Sequence, residues 1–120
     1  MKFDLHLSRN HKGAPYHWPL DAESAGEVRW WIQDFWEFSE LTTATTEAIL
    51  YVETSSPTNL QRLATITYDA NGLLTCILDM EDLATAEILK SFGYVNGKLI
   101  QGNEQFEGLI GSLFSHQSAE

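Results

Sequence analysis

Asp4, His6, His11 and His17 lie close together near the start of the chain. Carboxylates and imidazoles are the groups that bind transition metals and carry protons near neutral pH. His6 and His11 are five positions apart, and His11 and His17 are six. Neither step matches the i, i+4 face of a helix or the ligand pair of a hairpin, and His11 and His17 fall in a stretch without periodicity. They read as surface or hydrogen-bonded histidines, so no metal ligand and no catalytic residue is assigned. Cys76 shares a strand face with Leu74 and Leu78, where apolar surroundings make a thiol a poor nucleophile. The chain has no Gly-x-Ser-x-Gly elbow, no Gly-x-Gly-x-x-Gly turn, no Gly-Lys-Ser/Thr loop and no EF-hand spacing. The expectation is a non-enzyme without cofactor; a small enzyme using the histidine-bearing N-terminal loop ranks lower.

The most unusual feature is an aromatic one. Taking 100° per residue with Val28 at zero, Trp31, Ile32, Phe35, Trp36 and Phe38 form an apolar arc of about 160° that can seat a helix on a sheet. Trp30 falls at about 200°, opposite the arc and among Glu23, Gln33, Asp34 and Glu37. An indole ringed by carboxylates suits a partner-binding surface, since Trp is enriched at interface hot spots. The competing reading is that the loop expected over residues 9–20 folds over it. Two further acidic groups complete the candidate surface: Glu40 on the flank of the same helix, and Asp79, Glu81 and Asp82 after the central hairpin. The candidate partner-binding residues are thus Trp30, Asp34, Glu37, Glu40, Asp79, Glu81 and Asp82. Gly108 and Gly111, a small-residue pair in the last helix, leave close helix packing or a homodimer open.

These residues need a frame. Phe3, Leu5 and Leu7 alternate with polar residues, the period of a half-buried strand that turns Asp4 and His6 outward. Arg9 to Leu20, with Gly13, Pro15 and Pro19, reads as a loop. Asp21 is the expected cap of a helix running to about Ser39, and Glu47 to Thr54 is the next strand. Leu63–Tyr68 and Leu73–Met80 flank Asp69-Ala70-Asn71-Gly72, a strong hairpin signal. Asp82 should cap a second helix that Gly93 ends, and Tyr94 to Ile100 reads as a miniature hairpin around Asn96-Gly97. Asn103 should then cap a last helix whose Phe106, Leu109, Ile110, Leu113 and Phe114 share one face. The fold class expected is α+β: an antiparallel sheet of about four main strands in β-α-β-β-β-α-α order, helices mainly on one face, in a single domain over 1–120.

Charge narrows what such a domain can meet without deciding it, since the same acidity also serves simply to keep a small domain soluble. Seventeen acids oppose seven Lys and Arg in 120 residues, a formal net charge of −10. A field of that sign repels phosphate backbones and anionic lipids and attracts basic proteins. No apolar run reaches the roughly 20 residues of a membrane span, and Met1-Lys2-Phe3-Asp4 lacks the apolar segment of a signal peptide. One cysteine requires no oxidising compartment. The expectation is a cytoplasmic, bacterial, acidic inhibitor of the immunity or antitoxin type. It would block a basic toxin or nucleic-acid-handling enzyme by direct binding, with no direct nucleic-acid or membrane contact. A phage-type inhibitor of a host nuclease system and a homodimeric adaptor or structural subunit are the alternatives.

Overall fold

A computed structural model describes residues 1–7, 16–38, 47–53, 60–69, 71–81 and 83–118. Its elements in chain order are β1 (Lys2–Leu7), β2 (Tyr16–Asp21), α1 (Ala25–Phe38), β3 (Ala48–Glu53), β4 (Leu60–Tyr68), β5 (Leu74–Leu78), α2 (Leu83–Ser91), β6 (Leu99–Gln101) and α3 (Asn103–Ser118). The strands form one sheet in the order β2-β1-β3-β4-β5-β6, with every neighbouring pair antiparallel. The α+β class stands, with six strands rather than about four.

Alternation along each strand explains why the sheet has a dry face. Phe3, Leu5 and Leu7 of β1 are buried alongside Leu50 and Val52 of β3, Ala64 and Ile66 of β4 and Leu74, Cys76 and Leu78 of β5. Helix α1 seats on this face through Val28, Ile32, Phe35 and Trp36, all essentially without solvent contact. Phe35 meets Trp18 of β2 edge-on and Trp36 lies against Tyr68 of β4. Helix α3 contributes Phe106, Leu109, Ile110 and Leu113, with Phe114 against Phe3. No helix among the described residues is long and apolar enough to cross a membrane.

Local chemistry sets the ends of the elements. Ser24, not Asp21, caps α1: its Oγ accepts the Glu27 amide at 3.2 Å, and the Glu27 carboxylate reaches back to the Glu23 amide. Asp21 instead ends β2, near the N-terminal amine. Gly93, at φ +92°, closes α2; its amide donates to the Lys90 carbonyl and the Tyr94 amide to that of Leu89, the Schellman pattern. In the β4–β5 turn the Asp69 carboxylate accepts the amides of Asn71 and Leu73, and Gly72 takes the left-handed position.

Three further expectations are corrected. Residues 16–21 are an edge strand rather than the end of a loop. Asn96-Gly97 does not turn a miniature hairpin; it returns the chain so that β6 pairs with β5. Asn103 opens α3, but its buried Oδ1 accepts no hydrogen bond, so its side chain is not the cap. Arg9, His11 and Lys12 lie outside the described residues.

Candidate functional site

Helix α1 presents Trp30 to solvent, with 54% of its surface exposed. The register that buries Val28 and Ile32 forces this, since Trp30 lies between them in sequence and half a turn away in space. Its ring touches that of Trp31 edge-on, with centroids 6.0 Å apart. Trp31 is only partly buried, at the margin of the core rather than inside it. Asp34 and Glu37, at i+4 and i+7 from Trp30, share its face of the helix. Glu37 accepts a long hydrogen bond from Gln33 at 3.4 Å. Its charge also reaches strand β4, where burial first and Glu37 second push the Tyr68 hydroxyl up, with Arg29 opposing them.

The other predicted residues do not join this surface. Asp79 follows the buried Leu78, so alternation turns it to the face of the sheet opposite α1. There its carboxylate is held by Arg62 at 2.6 Å. Glu81 is exposed just beyond. Glu40 and Asp82 fall outside the described residues. The candidate surface therefore contracts to Trp30, Asp34 and Glu37.

A second constellation forms on the face of the sheet away from α1, and it rests on the unexpected strand β2. Its signal was Trp18 and Leu20 alternating with His17 and Pro19, which the two prolines of residues 9–20 obscured. Met1 and Ala22 exchange both backbone hydrogen bonds, so the pairs Asp4–Pro19 and His6–His17 are of the non-hydrogen-bonded kind. Side chains stand closest in such pairs. His6 and His17 thus face each other, ring centroids 5.6 Å apart, and Asp4 lies one pleat along from His6. Asp4 Oδ1 is 3.3 Å from His6 Nε2, and Oδ2 is 3.4 Å from His17 Nδ1. Asp4 points outward, as the alternation predicts, yet its side chain keeps only 9% of its exposure. Although Oδ1 is within ion-pair distance of His6, the alignment is too poor for a hydrogen bond and the atom has no hydrogen-bond partner. On the other side, the Tyr51 ring of β3 packs against His6 at 4.4 Å.

Two other features lie apart from these surfaces. Cys76 is buried, and burial pushes its thiol from 9.0 up to about 12, removing it as a nucleophile at neutral pH. Between α2 and the 94–96 turn runs an open groove of about 350 Å³ lined by Met80, Leu83, Ala86 and Val95, with Glu87 and Lys90 at its rim. Gly108 faces the Tyr94 hydroxyl, 3.5 Å from where a Cβ would stand. No protein-family model, curated protein or solved structure matches this chain.

Proposed function

We propose that this chain is an acidic protein-binding inhibitor of the immunity or antitoxin type, which docks on a basic toxin or nucleic-acid-handling enzyme through Trp30, Asp34 and Glu37. The observation that carries this reading is the half-exposed Trp30 on a helix whose buried side is already complete. The fold gains little from that indole, whereas an interface gains much, because Trp supplies a large contact area at small entropic cost. The net charge of −10 and the two carboxylates beside Trp30 select a cationic partner. They act chiefly on encounter rate and register, while burial of the indole controls dissociation. A partner whose own basic groove binds nucleic acid would be blocked by occupation of that groove.

A two-fold homodimer through the same face is the weaker reading. An isologous contact centred on Trp30 would set Asp34 and Glu37 of one copy against those of the other. Like charges brought together in an interface cost several kcal/mol.

The test is quantitative capture from the native host with the wild-type chain and Trp30→Ala in parallel. The expected result is a basic protein retained by the wild type and bound by the variant at least about 30-fold more weakly, the hot-spot threshold of roughly 2 kcal/mol. A captured partner of acidic surface, or one that binds Trp30→Ala equally well, would remove the basis of this reading.

A further inference from the structure

From Asp4, His6 and His17 we infer a binding site for a divalent transition-metal ion of the zinc class, built on the open face of the β1–β2 hairpin. It is independent of the protein-docking face, which lies across the sheet on α1.

Backbone geometry assembles the donor set. Residues i and i+2 of one strand and a residue of its neighbour make a three-point ligand set on one face of a sheet. Here Asp4 and His6 supply the first two points and His17 the third, in the pair type that brings side chains nearest. All three donor atoms lie within 4.8 Å of one another. Ligands held about 2.1 Å from a tetrahedral ion stand about 3.4 Å apart along each edge. The contacts of Asp4 with the two imidazoles are of that length, one from each oxygen: 3.3 Å from Oδ1 to His6 Nε2 and 3.4 Å from Oδ2 to His17 Nδ1.

The donor chemistry agrees. Two imidazoles and one carboxylate form a mixed nitrogen–oxygen set suited to zinc and its first-row neighbours, and three protein ligands leave a position open. The side chains of His6 and His17 are 43% and 65% exposed, so an ion can reach them from solvent. Tyr51 holds the His6 ring from behind.

Asp4 supplies an independent observation. Its side chain is nine-tenths buried, its Oδ1 lacks a hydrogen bond, and no Lys or Arg pairs with it among the described residues. A buried carboxylate oxygen left without a partner is costly. A cation between the three donors supplies the missing counter-charge, and the same ion replaces an imidazole–carboxylate contact too poorly aligned to be a hydrogen bond.

The test uses the untagged 120-residue chain, stripped of metal and titrated with Zn²⁺ by calorimetry, with Co²⁺ absorption as the spectroscopic counterpart. We expect one equivalent of Zn²⁺ bound with micromolar or tighter affinity, and a thermal midpoint that rises with Zn²⁺ concentration. His17→Gln and Asp4→Asn should each weaken binding at least about 100-fold, more than loss of an outer-sphere partner does. His17 is exposed on an edge strand, so its variant should keep the wild-type circular dichroism even if Asp4→Asn does not fold. His116→Gln, on α3 rather than on the hairpin, should bind as the wild type does. Binding weaker than about 100 µM, or stoichiometric binding that survives His17→Gln, would overturn the proposal. Neither outcome bears on Trp30, so the two readings fail separately.

Discussion

Asn96 holds Met80 by both of its backbone polar groups: the Met80 amide donates to Asn96 Oδ1 at 2.7 Å, and Asn96 Nδ2 donates to the Met80 carbonyl at 3.3 Å. The side-chain amide thereby continues the ladder one step past the end of β5. Next to it, the Gly97 amide donates to the Leu78 carbonyl, and the Leu78 amide to that of Lys98. These bonds fix the return that lets β6 pair. Asn96→Ala should cost about 1–3 kcal/mol, because it strands a part-buried amide and carbonyl together. Urea unfolding monitored by circular dichroism measures this, and an unchanged midpoint would show that water replaces the side chain.

Trp30 and Trp36 make a matched pair on one helix. Trp36 is fully buried against Phe35 and Tyr68, so Trp36→Ala should cost roughly 3–5 kcal/mol. Trp30→Ala should shift stability by less than about 1 kcal/mol. Trp31, half-buried, should fall between them. Thermal melts of the three variants give the ranking directly, and equal losses at positions 30 and 36 would make Trp30 a structural residue.

Cys76 predicts the alkaline limb of the stability curve. Between pH 9 and about 12 the unfolded chain releases the thiol proton while the folded chain retains it. The unfolded state then binds fewer protons, so stability falls as pH rises through that window and is unaffected by this group below it. The raised Tyr68 hydroxyl acts in the same direction. Cys76→Ala should flatten the limb, as seen in chemical unfolding at pH 8 and pH 10.5. An identical slope in wild type and variant would mean that the thiol is not shielded.

Arg29 of α1 and Glu107 of α3 form an ion pair between the two helices that cover the sheet. Each is about a third exposed, so solvent screening limits the pair to at most about 1 kcal/mol. Glu107→Gln should lower the thermal midpoint slightly at low ionic strength and hardly at all in 0.5 M salt. A salt-independent loss would point to packing of the aliphatic stems instead.

Periodic elements are legible in the residues themselves. The arc of α1, the hairpin around Asn71-Gly72 and the face of α3 follow from local spacing alone, and so does the outward position of Trp30. Strand β2 is not legible in this way, because Pro19 argues for a loop. The Pro19 nitrogen turns to the free side of an edge strand, where no ladder hydrogen bond is lost. The same proline hides the histidine site. His6 and His17 become neighbours only through the pairing register of β1 and β2, which residue spacing cannot reveal. The surroundings of Asp79 are hidden for a related reason: only the fold shows that its carboxylate pairs with Arg62 on the opposite face of the sheet from Trp30.

Pro19 also has a consequence for how copies of this chain meet one another. Sheets grow by adding strands to exposed borders, and that is the route to fibrils and swapped dimers. At the β2 border the proline interrupts the outward row of amide donors. At the other, β6 spans only three residues and is followed at once by Gly102, which has positive φ. An incoming strand would find a broken template on one side and hardly any on the other. Among the described strands, both borders resist templated polymerisation, so crowding of this acidic domain should not drive it toward amyloid.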